Sequence, residues 1–405
     1  MNTLDPDARA RYERRVRELE AFGHRGSATE HEARAARYLA DELRGMGLEP
    51  VEEPFAGSGS SGAGPFLHLM LALLAAGLTW TWPAVTLGVG AFVFASMLLE
   101  NALQIRVVSA VLPSRPSRNV VARFAPRGAP AHARLVVLGH YDTQRTGMMW
   151  KEGIVSRVAP VLARCPSFTQ SPFFLPMLAM AAVPIAGMMG LLSSATAATA
   201  VAIPALVILG IAAVLVGDWC VGPYVPGASD NGTGTAAVLA IAESWRRDPV
   251  EGVELVALLT GCEESGLLGA TAFARAHREE LGQLPTRFLN IDSLGYGRPR
   301  FLGREHSLAG VPAVYPRDAL ELCVEVADEL GLAGAGPKSL PVATDGFALL
   351  KAGVKGASVL SFEDNGHMPN YHQLTDTSDR LDFDVAWQGV RFAEALARRL
   401  AGQLG

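Results

Sequence analysis

Two adjacent carboxylates, Glu263 and Glu264, follow an apolar run from Val253 to Leu259 and stand just before a glycine-punctuated helix start. Carboxylates delivered by the C-terminal end of a strand sit where open α/β sheets gather their chemistry. Four further strand-end segments carry metal-competent side chains: His140 and Asp142 follow RLVVLG, Asp230 lies in GASDNGTG, Asp292 ends RFLNID, and His372 lies in PNYHQLTDT. Imidazoles and carboxylates drawn from several loops at one sheet edge make a donor set suited to a pair of zinc ions. Taken singly, each has an ordinary alternative, such as a polar strand end, a turn cap, or a hydrogen bond between His372 and Asp376. The set is what carries the reading.

The elements that must position these residues read as alternating α and β. The charged segment from Asp5 to Phe22 has helical spacing. Ser27, Thr29 and Glu30 then supply capping chemistry before an amphipathic run that Gly45 and Gly47 end. LEPVEEPF reads as the first strand, and β-branched runs at 119–124, 135–139, 253–259, 286–291 and 357–361 supply others. Helices are expected at 233–245, 266–281, 317–330 and 385–400.

A net charge of -5 over 405 residues, with no basic stripe, counts against nucleic acid as a partner. A mean hydropathy of +0.22, with only 19% of residues charged, requires part of the chain to avoid water. Two uncharged stretches account for it. Phe66 to Leu99 is interrupted by TWTWP, and Phe173 to Gly217 by the small polar run Ser193 to Thr199. A span needs roughly 20 apolar residues, so each stretch reads as a hairpin, giving four transmembrane helices and a lipid bilayer as partner. The hairpins at 65–100 and 172–217 divide the α/β domain into 1–56, 101–171 and 218–405, with Lys151 to Ser171 as a mixed, interfacial stretch. Trp80 and Trp82 suit an interfacial position. Arg106, Arg115, Arg118, Arg157 and Arg164 lie on the α/β side, which the positive-inside rule makes cytoplasmic. The polar start MNTLDPDARARYERR contains no cleavable signal peptide. Cys165, Cys220, Cys262 and Cys323 are scattered and read as reduced thiols, and His277, His306 and His367 as surface or loop residues. Nothing in the sequence specifies self-association.

Taken together, HYD, ASDNGTG, EESGLLGA, the strand-terminal Asp292 and the YH pair resemble the zinc aminopeptidases of the M28 family in order and spacing, one large insertion apart. The resemblance runs from roughly Gly26 to Leu400, minus the apolar inserts. It implies a mixed central sheet flanked by helices, the zinc-dependent exopeptidase fold, and two zinc ions acting on a peptide substrate. His140, Asp230, Glu264, Asp292 and His372 would be the ligands, with Asp230 bridging. Asp142 would orient the His140 imidazole, Glu263 would act as general base, and Tyr371 would donate a hydrogen bond to the tetrahedral oxyanion. Thr375 to Thr377 would brace His372. Gly346, after Asp345, stands where many relatives have histidine. The expectation is therefore a multi-pass membrane di-zinc aminopeptidase with its site near the bilayer, since about 12 residues separate the second hairpin from Asp230 and span at most roughly 40 Å. Two alternatives share the fold: a single-zinc glutaminyl cyclase, and a metal-free receptor or scaffold.

Overall fold

The computed structural model describes residues 6–126, 130–162, 164–166, 169–332 and 334–404. Met1 to Asp5 of the polar N-terminus, and three positions in the Lys151 to Ser171 stretch, lie outside the described residues. The chain opens with α1 (Ala8–Glu20), α2 (Glu30–Gly45) and β1 (Val51–Gly57), then passes through the apolar helices α3 (Ala63–Gly77) and α4 (Pro83–Leu103). β2 (Arg115–Phe124) and β3 (Ala133–His140) precede α5 (Glu152–Leu162) and a second apolar pair, α6 (Phe174–Leu191) and α7 (Ala195–Val221). Next come α8 (Gly234–Arg247), β4 (Val253–Thr260), α9 (Leu268–Ala276), α10 (Arg278–Gln283), β5 (Thr286–Ile291), β6 (Arg298–His306) and β7 (Pro312–Val314). α11 (Arg317–Glu329), β8 (Pro337–Leu340), α12 (Asp345–Lys351), β9 (Lys355–Phe362) and α13 (Phe383–Gly402) complete it.

The strands form one mixed sheet in the order β1-β2-β4-β3-β5-β9-β6-β7, with β8 beside β6. Its centre, β4-β3-β5-β9, is parallel, while β1, β2, β6 and β7 pair antiparallel at the flanks. β3 is buried along its whole length, as a strand covered on both faces must be. Its side chains alternate between two cores: Leu135 and Val137 pack with α1, α2, α8 and α13, whereas Val136 and Leu138 face Phe273, Phe288 and Leu349. Because the central strands are parallel, their C-terminal ends share one edge, and the expected ligands meet there.

α2 starts where its capping residues predict, with the Thr29 side chain accepting from the Glu32 N–H. The single helix expected over 266–281 is instead broken at His277 into α9 and α10. The turn of the second apolar pair falls before Ala195, earlier than the run Ser193 to Thr199 suggests, because its alanines join α7.

Among the described residues three helices, α4, α6 and α7, are long and apolar enough to cross a membrane, not the four expected. α3 has 15 residues, a rise of about 22 Å against a hydrocarbon core of about 30 Å. Leu78 to Trp82, apolar enough to extend the span on paper, are spent on the turn into α4. α3 nevertheless packs with the other three around a shared core that includes Leu69, Val93, Val183 and Leu209. Close approach is enforced at Gly187, where a Cβ would lie 2.5 Å from the Leu87 amide nitrogen. Leu74, Phe92, Ile211, Val214 and Val221 point outward, apolar and exposed.

Candidate metal centre

His140 is the last residue of β3, and Asp292 follows β5 directly. Glu263 and Glu264 occupy the turn after β4, where Cys262 adopts φ +53° and Leu267 φ +58°. Asp230 lies in an irregular turn before α8, and His372 in the loop after β9. The turns are pinned to one another. Asn231 donates to the Ile291 carbonyl at 3.0 Å and accepts from the N–H groups of Gly234 and Ser293, clamping the Asp230 turn to the strand end that carries Asp292. Glycine at 234 is needed there, since a Cβ would lie 2.2 Å from Asn231 Oδ1.

All five expected ligands converge. Asp230 Oδ1 is 3.3 Å from His140 Nε2, and its other oxygen, Oδ2, is 3.2 Å from His372 Nε2. Asp292 Oδ1 lies 3.6 Å from His140 Nε2, and Glu264 Oε2 lies 3.4 Å from His372 Nε2. Among the described residues three donor triads result, His140–Asp230–Asp292, Asp230–Glu264–His372 and His140–Glu263–Glu264, each with ligand atoms within 4.8 Å of one another; the first two consist of the expected ligands alone. Ligands at 2.0–2.1 Å around a tetrahedral zinc are themselves about 3.3–3.5 Å apart, the spacing found here. Buried polar atoms also lack partners where a cation would sit. Among the described residues, both His372 ring nitrogens and Glu264 Oε1 have no hydrogen-bond partner. The donor set therefore fits zinc.

Electrostatics point the same way. Burial, then the neighbouring Glu264 and other carboxylates, push Glu263 well above the usual carboxylate range despite the opposing pull of His140. Burial and Asp230 raise Glu264 to about 7. Burial disfavours the charged form of Asp230 too, but His140 and His372 overcome it and hold that carboxyl below its ordinary value. Burial also opposes a charged His372, yet Glu264 and Asp230 lift it to about 9. So many buried carboxylates need positive charge to remain ionised.

Asp142, 0% exposed, takes a larger role than orienting one ring. Its Oδ1 lies 3.5 Å from His140 Nδ1 and accepts the Glu263 N–H at 3.0 Å. Its Oδ2 accepts from Ser27 Oγ at 2.6 Å and from the Glu264 N–H at 3.2 Å. Asp376 does not brace His372. Its carboxylate accepts the N–H groups of Ser229 and Asp230, fixing the Asp230 turn instead. Tyr371 stacks on His372 at 3.7 Å and lines the cleft with Glu263. That cleft, about 460 Å³, has apolar walls that include Trp150, Val155, Leu360 and Phe362, together with Leu215 from α7.

Three supporting residues escaped the sequence reading. Gln144 donates to Glu264, Trp150 abuts His372, and the fully buried Arg25 ties the N-terminal segment to Pro226 and Gly227 beside the Asp230 turn. None of the three carries a motif signal in the sequence, although Gln144 stands only two residues after Asp142. His306, expected at the surface, is buried with Nδ1 3.1 Å from the Leu340 carbonyl. Cys262 is buried beside Glu32, and the four cysteines are free.

Residues 213–397 match the sequence profile of peptidase family M28. The C-terminal part of the chain thus resembles peptidase family M28. The matched region holds Asp230, Glu263, Glu264, Asp292, Tyr371 and His372, and His140 precedes it. A probable lipoprotein aminopeptidase, LpqL of Mycobacterium tuberculosis, is 28% identical over 218 residues, 45% of this chain and 42% of the relative, so the chain spans less than half that protein's length. Among solved structures, the zinc aminopeptidase BSAP from Bacillus subtilis superposes with a TM-score of 0.56 at 14% identity, covering 96% of this chain and 95% of its own. A glutaminyl cyclase from Bacteroides thetaiotaomicron does so with 0.56 at 12% identity, covering 97% and 98%. Both show a shared fold.

Proposed function

We propose that this protein is a membrane-anchored di-zinc metallopeptidase of the M28 type that removes N-terminal residues from peptides. The reading is carried by Asp230, whose two carboxylate oxygens each face a separate histidine-containing triad, with Glu263 beside them. Zinc bound by His140, Asp230 and Asp292, and by Asp230, Glu264 and His372, would supply Lewis acidity that polarises the scissile carbonyl and acidifies water.

The protein's own groups do the rest. Glu263, with Oε2 3.9 Å from His140 Nε2, takes a proton from the attacking water and returns it to the leaving amine nitrogen. Tyr371 donates from its hydroxyl to the oxyanion that develops on the former carbonyl. Asp142 holds the Glu263–Glu264 turn through both backbone N–H groups, so base and ligand keep their spacing. The apolar walls of the cleft receive side chains beside the cleaved bond and exclude water.

α4, α6 and α7 span the bilayer, and α3 with the turn Leu78 to Trp82 reaches its far side, so that the paired strands β1 and β2 stay on one side with the rest of the catalytic domain, facing the cytoplasm. The uncharged turns at both far ends of the bundle and the arginines on the domain side support that orientation.

Glutaminyl cyclases share the fold to the same degree as aminopeptidases, so the experiment must separate the two chemistries. Purified full-length protein is analysed for zinc and given peptides with free or acetylated N-termini. About two zinc ions per chain, with cleavage lost on acetylation, supports the proposal. One zinc with cyclisation of N-terminal glutamine replaces it, and full activity in Glu263→Ala would leave the base assignment without support.

A further inference from the structure

The two donor triads are supported by different parts of the molecule. His140 and Asp292 stand at the ends of β3 and β5, neighbouring strands at the centre of the sheet. Glu264 and His372 stand on loops, and the support of both runs into the apolar helices. Gln144 Nε2 donates to Glu264 Oε2 at 2.7 Å and to the Glu264 carbonyl at 3.2 Å. Gln144 Oε1 in turn accepts from Ser61 Oγ at 2.7 Å, just before α3, and from the indole N–H of Trp219 at 3.2 Å, inside α7. The Arg145 N–H also reaches it at 2.8 Å. An amide fixed at its oxygen from several directions has little freedom left for its NH2, which here points at Glu264.

A second route reaches the same triad. The Trp219 ring stands edge-on to Trp150 at 5.9 Å, and Trp150 stands edge-on to His372 at 4.5 Å. Gln144 is 3% exposed and Trp219 5%, so water does not substitute for these contacts. Ser61 leads into α3 and Trp219 belongs to α7, two helices that pack together. Gln144 is therefore seated only when that helix pair is seated.

We propose that the Asp230–Glu264–His372 site is positioned by the apolar-helix bundle through Gln144, Trp219 and Trp150, so that bundle packing sets its zinc affinity while the sheet-held site is indifferent to it. This rests on the two-ion reading above. Gln144 is a positioning residue: losing its NH2 leaves Glu264 Oε2 unanchored in a buried turn, whereas β3 and β5 still hold His140 and Asp292. Hydrophobic mismatch offers the membrane a route to the same site, because a thinner bilayer shifts helix tilt and therefore the seat of α3 against α7.

The test is zinc titration of the metal-stripped full chain in lipid nanodiscs against a competing chelator. The parent protein should bind two ions in separable steps. Gln144→Ala and Trp219→Phe should weaken one step by about 10- to 100-fold and leave the other unchanged. Asp292→Asn should weaken the complementary step, which assigns the two. Parent protein in a thinner bilayer should show a loss at the Gln144-dependent step alone. Two unchanged steps in both variants, or equal loss at both steps, would overturn the proposal, since a general weakening of the fold lowers both together. A single ion in the parent protein would instead overturn the two-ion reading beneath it.

Discussion

Asp142→Asn probes the residue that joins β3 to the Glu263–Glu264 turn. Each carboxylate oxygen faces a backbone donor, Oδ1 the Glu263 N–H at 3.0 Å and Oδ2 the Glu264 N–H at 3.2 Å. An asparagine must place NH2 at one of those positions, so neither flip satisfies both. The cost is one charge-assisted hydrogen bond, about 1.5–3 kcal/mol, plus an N–H left opposite another donor in a buried site, about 1–3 kcal/mol. Part of this falls on the metal-free fold and part on the metal site. The share seen by zinc should be about 10- to 100-fold in affinity, the range for partners that orient a ligand. Ser27→Ala removes only one donor to Oδ2, 2.6 Å away, and should cost less on both counts. Chelator-competition zinc titration and thermal melting of the metal-free full chain measure the two shares. Parent-like affinity and melting in Asp142→Asn would refute the argument that this carboxylate fixes the turn.

Glu263→Gln keeps the size of the proposed general base without its basicity, and turnover should fall by about 10²- to 10⁴-fold while bound zinc is unchanged; metal analysis beside peptide hydrolysis checks both. Glu305, buried against Tyr315 and Thr344, is raised by burial to about 7, so the fold holds its proton across a pH range where the unfolded chain has released it. Its contribution to stability is then full below the ordinary carboxylate range and is lost as pH rises to about 7. Melting followed over that interval should fall less steeply in Glu305→Gln. For topology, a single cysteine at Thr81, in the turn between α3 and α4, should react with a membrane-impermeant maleimide from the side opposite to one at Arg118. Labelling of both from one side would refute the bilayer-spanning arrangement.

The central sheet was legible because each strand announces itself by composition. β5 begins and ends where β-branched patterning places it, and β3 and β4 differ from expectation by a few residues at most. β6, β7, β8 and α12 left little trace. β6 carries Arg298, Arg300 and Arg304, and α12 is only seven residues long, so neither shows a clean period. The apolar helices were visible as composition but not as lengths. TWTWP marks the turn, with Pro83 opening α4, but hydropathy does not show that the turn takes Leu78 to Trp82 and leaves α3 only 15 residues.

The convergence of the candidate ligands was legible for a related reason: parallel strands place their C-terminal ends at one edge, so a chemically competent residue after each apolar run already shares a location with the others. What holds the ligands was not. Asp376 looked like a partner for its near neighbour His372 but instead accepts the N–H groups of Ser229 and Asp230, almost 150 positions away. Gln144 is a neutral amide among charged ligands, and its importance appears only once Ser61 and Trp219, from separate apolar segments, are seen to fix its oxygen. Sequence shows which atoms can bind a cation, because that depends on residue type. It conceals which atoms hold them in place, because a hydrogen bond to a backbone N–H can come from any acceptor the fold brings near. The residues supporting the metal centre are therefore where mutation should yield effects that motif inspection does not anticipate.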